Sequence, residues 1–392
     1  MSKQTDCRAL LINSGILGHK SVFNLLKESI ARDASIQAVH INLSEGLTAR
    51  ERVIRRMLCF QIPGSARFSG SNIDLARWRH EFHSGLLAAR RIKASETSFD
   101  VLHFHTQATA YCSINRMKSV PSIVSIDCTQ GLAKLETNSR FKQATYFPNS
   151  VHDGMVFRAA KAIIATSQWA AGGVAREYPD CADKLTVMPY PVRLESFDER
   201  WIRERHNRAT EVGAEPVRVL FIGGDFMRKG GPELLAAWKE GNFQSSAQLD
   251  LVTDWPMAES ELPTGVRVLK NIAPFTPEWR ELWRRADLFV MPTRGEAFGM
   301  VYQESAAAGV PAVGSRINAV PEIIEDKITG LLVAPGDVAG LARSMRELIG
   351  SADLRRLMGT AARKKIESQC CPENYSNKLA TLIKRLASAK ND

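Results

Sequence analysis

The sequence lacks the features that mark a membrane-spanning or disulfide-stapled protein. It has no run of about 18 consecutive apolar residues, so it predicts no transmembrane helix. Its first residues do not combine a charged segment, a long apolar stretch and a cleavage site, so we expect no signal peptide and a cytoplasmic protein. The 7 cysteines are odd in number and include no Cys-x-x-Cys pair, which predicts reduced thiols rather than a disulfide framework or a zinc site.

Several catalytic and binding signatures are also missing. The P-loop pattern GxxxxGK[ST] is absent, which argues against an ATPase of that class, and the GxGxxG fingerprint is absent, which argues against a Rossmann dehydrogenase. No HExxH and no Asp-x-Asp occur, so a divalent-metal diphosphate site is not expected. No nucleic-acid-binding motif is recognisable. We therefore expect no metal, no resident cofactor and no nucleic-acid partner.

What the sequence does contain is two series of short β-branched runs separated by helix-like stretches. Its 392 residues exceed one ordinary core, so two domains are expected. Continuous apolar runs of this kind predict parallel strands covered on both faces, and hence an α/β fold with two doubly wound, Rossmann-like domains. The runs occupy residues 9–13, 38–43, 101–105, 122–127, 162–167 and 185–190, then 217–223, 249–253, 266–270, 288–292, 310–315 and 330–335.

The domain boundary is expected in a polar stretch that ends with glycine and proline before a clean strand. This predicts a first domain over 1–205 and a second over 206–370. The remainder, 371–392, reads as a helix with apolar residues at helical spacing. Such a helix must bury its apolar face, and we expect it to pack back on the first domain.

Positive charge is concentrated in residues 51–100. This segment has 9 basic and 5 acidic residues, an excess of four in a chain whose total net charge is +10. Trp78 and Phe82 are interleaved with the cations. Two interpretations stay open: peripheral contact with an anionic membrane surface, or an ordinary solvated helix pair.

Two glycines, Gly15 and Gly18, follow the first predicted strand and precede a helix. Ligands of open α/β sheets bind beyond the carboxyl ends of the strands, where glycine allows close backbone approach and a helix start offers N–H groups to an anion. The alternative is a plain strand-to-helix turn.

Two cations, Arg228 and Lys229, occupy the corresponding place in the second domain, in "FIGGDFMRKGG". A helix is expected to begin at Pro232, a favoured first helical position. Two cations beside a helix N-terminus suit a phosphate group. The alternative is a surface turn with exposed cations.

Two glutamates, Glu296 and Glu304, flank a glycine-containing loop in "RGEAFGMVYQESAAAGVP". A helix is expected to begin near Phe298–Gly299, so that the N–H groups of Phe298, Gly299 and Met300 could hold a diphosphate. One acid in the loop and one on the second helical turn can converge on a single ligand. A carboxylate has two acceptor oxygens and suits a pair of neighbouring hydroxyls, as on a ribose or a hexose.

Two further candidates in the first domain end predicted strands. His105 closes "DVLHFH" and Asp127 closes "SIVSID". Either could face a ligand at the carboxyl edge of the sheet. The alternatives are a satisfied structural histidine and an aspartate that caps a turn.

Residues from "PTRGEAFGMVYQESAAAGVPAVG" to "GLLVAPGD" resemble the carboxyl-terminal signature of the retaining glycosyltransferases of family 4, the group 1 transferases with the GT-B fold. Glu296 and Glu304 match its E-x7-E pattern. The blocks "RKGG" and "ADLFVMPT" before them and "AAGVPAV" after them occur in the order expected for the family. The first domain resembles the family more loosely, through "FDVLHFH", "KAIIATS" and "LTVMPYPVRLESF". The resemblance implies two Rossmann-like domains that face a cleft.

The resemblance also implies roles. Lys229 with Arg228 should bind the donor diphosphate, Glu296 the transferred sugar and Glu304 the ribose, while the backbone of Phe298–Met300 holds sugar and phosphate. The sequence departs from the family pattern at two places. Gly224 stands where the family often has an arginine, and Asp127 stands where it commonly has a histidine that touches the donor sugar.

The implied activity is metal-independent transfer of a hexosyl group from a nucleotide-diphosphate sugar, UDP or GDP, to a hydroxyl with retention of configuration. Glu296, Asp127 and His105 are the candidate catalytic residues. The acceptor would be a glycan or a lipid-linked molecule, in polysaccharide, lipopolysaccharide or glycolipid assembly. The alternatives are a catalytically inactive nucleotide-sugar binder and an epimerase or phosphorylase on the same scaffold.

Overall fold

The computed structural model describes residues 7–15, 18–60, 75–95, 98–137, 139–210 and 216–389. The chain divides into two compact units. The first comprises Met1–Pro191 together with Pro372–Asp392, and the second comprises Val192–Cys371.

The first unit is built on a parallel sheet. Its strands are β1 (Cys7–Asn13), β2 (Ile36–Asn42), β3 (Val101–His105), β4 (Ser122–Ile126), β5 (Ala162–Ala165) and β6 (Leu185–Val187). Their order across the sheet is β2-β1-β3-β4-β5-β6. The helices between them are α1 (Gly18–Ile30), α2 (Ala49–Leu58), α3 (Ala76–Ala94), α4 (Ile114–Ser119), α5 (Gln130–Ala133), α6 (Arg140–Ala144), α7 (Phe147–Ala159) and α8 (Gln168–Glu177).

The second unit repeats this plan. It begins with α9 (Glu199–Thr210), and its strands are β7 (Val217–Ile222), β8 (Ala247–Val252), β9 (Val266–Leu269), β10 (Leu288–Met291), β11 (Ala312–Ser315) and β12 (Gly330–Val333). Their order is β12-β11-β10-β7-β8-β9, again all parallel. The other helices are α10 (Gly231–Gly241), α11 (Pro277–Arg285), α12 (Met300–Ala307), α13 (Val320–Ile323), α14 (Val338–Gly350) and α15 (Ala352–Gln369).

The central strands are buried along their whole length, which explains why their sequences are mostly apolar and do not alternate between buried and exposed residues. The predicted α/β class with two parallel sheets is confirmed. Because every strand is parallel, each connecting segment returns to the amino edge, and the loops that leave the carboxyl ends gather at one edge of each sheet. No helix in the described part of the chain is long and apolar enough to cross a bilayer.

The division between the units differs from the expected one at residue 205. The chain joins the second unit from Val192 onward because α9 packs there. Trp201 donates its indole N–H to the carbonyl of Ala308 at 3.2 Å, and Arg205 donates to the carbonyl of Trp283 at 2.6 Å. Two long side chains therefore attach α9 to the second unit. The strongly polar composition of α9 gives no sign of this attachment.

The last helix, α16 (Pro372–Ser388), belongs to the first unit. Leu379 and Ile383 on its apolar face are fully buried. At its exposed edge, Lys384 Nζ lies 2.7 Å from Asp33 Oδ2. The apolar stripe of this helix thus completes the core of the first unit, although the second unit precedes it in the chain.

Candidate functional site

The loop between β7 and α10 carries two cations at the carboxyl edge of the second sheet. Arg228 donates from Nε to Asp225 Oδ2 at 3.1 Å, and Lys229 is only 15% exposed. Gly230 then begins the turn into α10 with φ +78, and a Cβ there would lie 2.0 Å from the Pro292 carbonyl oxygen. Glycine is required at this position by both its conformation and the close approach of the loop that follows β10.

The loop between β10 and α12 carries Glu296, which is 14% exposed. Asn318 donates to the Glu296 carbonyl oxygen at 3.1 Å and fixes the loop from the far side. Gly299 precedes α12 with φ +99, so the chain turns sharply into the helix, which begins at Met300. Phe298 is buried, 4% exposed. Asn318 was not a sequence candidate, because an asparagine in a loop carries no distinguishing pattern.

These two loops meet because β7 and β10 are neighbours in the sheet. Lys229 Nζ forms an ion pair with the Glu296 carboxylate. Arg228 donates from Nη1 to the Gly295 carbonyl oxygen at 2.5 Å. The backbone N–H of Arg294 donates to the Arg228 carbonyl at 2.8 Å. The structure therefore brings Arg228, Lys229 and Glu296 together immediately before the start of α12.

Glu304 lies one turn into α12, partly buried. Within the described residues its carboxyl group makes no hydrogen bond or ion pair. Burial raises the pKa of this carboxyl to about 8. Burying a carboxyl group that has no partner among the described residues costs desolvation free energy. A ligand that donates hydrogen bonds to this carboxyl group would therefore bind favourably.

In the first unit, the ends of β1 and β3 are joined by one asparagine. Asn13 Nδ2 lies 2.9 Å from His105 Nδ1, and Asn13 Oδ1 accepts from the N–H of Gly15 at 2.6 Å. His105 is 2% exposed, and its ring lies 5.4 Å from that of Tyr190. Gly18 is the first residue of α1. These contacts favour the structural interpretation of His105.

Asp127 directly follows β4 and is partly buried. It lies close to Tyr190: burial raises the pKa of the Tyr190 phenol well above its ordinary value, and the Asp127 charge adds to the rise. His105, Asp127 and Tyr190 are thus near one another at the carboxyl edge of the first sheet.

A buried acid network holds the segment after Asp127. Gln130 donates its backbone N–H to Asp153 at 3.1 Å and its side-chain amide to Glu81 at 3.0 Å. The Tyr111 hydroxyl lies 2.8 Å from Asp153 Oδ1 and 3.0 Å from Glu81 Oε2. A phenol has one hydrogen, so both contacts are satisfied when one carboxyl is protonated and donates to the phenol oxygen. Burial raises the pKa of both carboxyls, consistent with one shared proton.

Residues 216–351, which include both loops of the second unit, match the family model described as "Glycosyl transferases group 1". Over this region, about a third of the chain, the protein is similar to the group 1 glycosyltransferases. The matched residues contain Arg228, Lys229, Glu296 and Glu304, so the similarity includes the part of the molecule that brings the charged loops together.

One curated relative is sulfoquinovosyl transferase SQD2 of Arabidopsis thaliana, 29% identical over 193 residues. The alignment covers 47% of this chain and 37% of that protein, so the chain spans little more than a third of its relative's length.

Solved structures share the fold along almost the whole chain. Sucrose-phosphate synthase from Thermosynechococcus elongatus has a TM-score of 0.71 at 17% identity, covering 98% of this chain and 100% of that one. Anabaena HepE in complex with UDP and glucose has a TM-score of 0.67 at 17% identity, covering 96% and 99%. The fold is therefore that of the GT-B glycosyltransferases.

The departure from the group 1 pattern at Gly224 has a structural counterpart. A Cβ at Gly224 would meet no atom within 4 Å, so space for a longer side chain is present but unused. Arg228, which is 43% exposed, supplies the second cation of this loop instead.

Proposed function

We propose that this protein is a group 1 glycosyltransferase that moves a hexosyl group from a nucleotide-diphosphate sugar to an acceptor hydroxyl with retention of configuration. The observation that carries the proposal is the convergence of Arg228, Lys229 and Glu296 at the start of α12. Two cations and a helix N-terminus suit a diphosphate, and a carboxylate beside them suits the hydroxyls of the attached sugar.

Each group takes one part of the donor. Lys229 and Arg228 bind the diphosphate together with the backbone N–H groups of Phe298–Met300. Glu296 accepts hydrogen bonds from the transferred sugar. Glu304 accepts them from the ribose, which would give its carboxylate the partner it lacks within the described residues.

The reaction we propose proceeds on one face of the sugar. The acceptor oxygen bonds to the anomeric carbon on the side from which the diphosphate departs, and the bond between that carbon and the phosphate oxygen breaks. The acceptor proton passes to the departing phosphate oxygen. Lys229 and Arg228 stabilise the negative charge that develops on this oxygen. In metal-dependent enzymes a divalent metal ion stabilises the departing diphosphate in the same way.

The nucleotide is best tested directly. We expect UDP or GDP to raise the melting temperature, since a ligand that binds the native state stabilises it by mass action. A panel of UDP and GDP sugars should then show release of free nucleotide, accelerated by an acceptor. HepE was solved with UDP and glucose, which makes UDP-glucose the first donor to try. If neither nucleotide shifts the melting temperature, the proposed function is wrong.

For the acceptor, we propose a lipid-linked or glycan molecule at an anionic membrane surface. In the described part of the basic segment, helix α2 carries two exposed apolar residues, Val53 at 53% exposure and Met57 at 69%. Arg52, next to Val53 in the chain, is also exposed. Residues 61–74 lie outside the described residues. Apolar and cationic side chains on one helix suit an anionic lipid surface. Such acceptors would place the enzyme in polysaccharide, lipopolysaccharide or glycolipid assembly.

Nucleotide affinity should rise with pH up to about 8. Burial raises the pKa of Glu304 to about 8, so this carboxyl is mostly protonated at neutral pH, whereas ribose hydroxyls donate best to the ionised form. Binding should therefore release a proton, with affinity increasing by up to about tenfold per pH unit below the pKa and levelling off above it. Calorimetry across this range measures the slope.

The Glu304→Gln variant should lose this pH dependence, and Glu347→Gln, at an exposed position on α14, should keep it. Without ligand, the folded protein holds a proton at Glu304 that the unfolded chain releases near the ordinary pKa of 4.5, so stability should decline as the pH rises from 4.5 to about 8. An affinity that is flat between about pH 6 and pH 9, from about two units below the pKa to about one unit above it, would remove Glu304 from the ribose site.

Asp127 is proposed to contact the transferred sugar and to set donor choice. Asp127→Asn should then lower turnover with the true donor, while nucleoside diphosphate affinity and melting temperature stay nearly unchanged. An ionised carboxylate accepts hydrogen bonds, whereas an amide presents both a donor and an acceptor. If Asp127 instead caps its turn, the melting temperature falls and turnover per folded molecule does not. Steady-state kinetics and a melting curve on this variant decide between the two.

Asp127 also supports a second candidate function, a nucleotide-sugar binder without transferase activity, because it stands where the family commonly has a histidine. Nucleotide binding without nucleotide release from any donor would favour the binder.

A further inference from the structure

Helix α7 exposes three large apolar side chains although it also buries Val156 and Phe157 in the core. Phe147, Val151 and Met155 are 71%, 43% and 45% exposed. Their spacing of four residues places them along one side of the helix. On the opposite side, Asn149 and Asp153 are fully buried in the acid network. A surface helix usually exposes polar residues, so the row of Phe147, Val151 and Met155 departs from the usual pattern, and we call this exposed side the α7 outer face.

The segment that leads into α7 exposes two more large apolar side chains. Leu135 is 64% exposed and Phe141 on α6 is 58% exposed. Isolated exposed apolar residues are ordinary on protein surfaces, but five within about twenty residues of chain form a concentration that points to contact with an apolar phase or partner.

Cations accompany these residues at both ends of the helix. Arg140 and Lys142 precede α7, and Lys161 follows it. Beside Met155, a hollow is lined by Lys118 and Lys161 among apolar side chains. The one acidic residue on α4, α6 and α7 is Asp153, which is buried and faces inward. Two acids lie nearby: Glu136 directly follows Leu135, and Asp180 pairs with Arg158 of α7 at 2.7 Å. The cations at 118, 140, 142 and 161 still outnumber them, so the net charge of this surface is complementary to an anionic partner.

The α7 outer face continues towards the basic segment. The Arg77 guanidinium at the start of α3 lies 4.7 Å from the centre of the Tyr146 ring, and Tyr146 directly precedes Phe147. Arg79, two residues further along α3, stacks over Phe60, which is 51% exposed. The start of α3, in the basic segment, therefore contacts the residue that precedes α7 through Arg77.

We propose that the α7 outer face docks on an anionic lipid surface, with Phe147, Val151 and Met155 entering the boundary between headgroups and acyl chains. The proposal rests on the proposed function in so far as that function uses a lipid-linked acceptor. A lipid surface is favoured over a protein partner because the apolar side chains stand along a convex helix with cations at both ends, the arrangement of a helix that lies in the membrane interface. Lys142 and Arg140 then meet lipid phosphates.

The test is flotation of the full chain with phosphatidylcholine vesicles that contain or lack phosphatidylglycerol. The wild-type protein should bind the anionic vesicles, and salt should weaken this binding. The triple variant Phe147→Ser, Val151→Ser, Met155→Ser should lose about tenfold or more in vesicle affinity, since three partly exposed apolar side chains no longer enter the bilayer. Leu357→Ser is the matched control, because Leu357 is 59% exposed on α15 of the second unit and should not alter binding.

The charge component is separable. Arg140→Glu with Lys142→Glu should reduce affinity for anionic vesicles by about fivefold or more for each cation lost and should flatten the salt dependence. Equal flotation of the triple variant and the wild type would overturn the proposal. So would a dimer in sedimentation velocity that the triple variant abolishes while vesicles stay unbound, because the face would then serve a second copy of the chain.

Nucleoside diphosphate affinity and melting temperature are measured on the same variants. We expect both to stay unchanged while vesicle binding is lost, since the substituted residues are exposed. If the wild-type protein binds no nucleotide yet floats with anionic vesicles through the α7 outer face, the proposed function fails and the docking surface stands. The two proposals can therefore fail separately.

Discussion

Replacing Lys229 with alanine should weaken nucleoside diphosphate binding by about tenfold or more, since a charge-assisted hydrogen bond to phosphate typically contributes roughly 1.5–3 kcal/mol. Lys229 is 15% exposed, so its ammonium group is poorly screened by solvent. Isothermal calorimetry with UDP and GDP measures the loss. Lys239→Ala on the exposed end of α10 is the matched control and should bind as the wild type does.

The Lys229 variant has a second consequence that must be separated from the first. In the structure Lys229 neutralises Glu296, and removing one member of a partly buried pair leaves the other charge uncompensated. The melting temperature should therefore fall for Lys229→Ala and recover in part when Glu296→Gln is added. Nucleotide affinity should stay low in both. Unchanged affinity in the single variant would remove Lys229 from the diphosphate site.

Glu296→Gln should lower transferase turnover by about a hundredfold. The neutral amide is a weaker hydrogen-bond acceptor for the sugar hydroxyls than a carboxylate, and it cannot stabilise the positive charge that develops at the anomeric carbon. Nucleoside diphosphate affinity should not weaken, since Lys229 no longer has to leave a protein carboxylate before it meets phosphate. Turnover with the best donor and the affinity for the product nucleotide are measured on the same preparation.

The control for this variant is Glu347→Gln, which makes the same chemical change at an exposed position of α14. Turnover that falls together with nucleotide affinity would indicate that Glu296 serves the diphosphate site through Lys229 rather than the sugar. Wild-type turnover in Glu296→Gln would exclude the residue from catalysis.

Most of the fold could be predicted because its signals are local. Most strands of the two sheets are short runs rich in β-branched residues, and complete burial of the central strands makes those runs largely apolar. The glycines at 230 and 299 mark turns whose backbone has positive φ, which few other residues adopt. The division of the chain at Val192 could not be predicted, because two anchoring side chains on α9 outweigh its polar composition.

The candidate site could be predicted as a set of residues but not as a set of contacts. Arg228, Lys229, Glu296 and Glu304 were identified from their places after strands and from the family pattern. The acid network of Tyr111, Glu81 and Asp153 was missed, since no motif joins residues so far apart in the chain.

By itself the sequence determined the helices and strands, the positions of the charged loops and the resemblance to the group 1 glycosyltransferases. These features could be identified because strand burial, helix starts and family motifs each depend on residues that are close together in the sequence. Only the tertiary structure decided that Lys229 pairs with Glu296, that α16 completes the first unit, and that α7 leaves three large apolar side chains exposed. These outcomes depend on strand order and helix packing. β10 lies beside β7 although two strands separate them in the chain, and only the folded sheet brings their loops together.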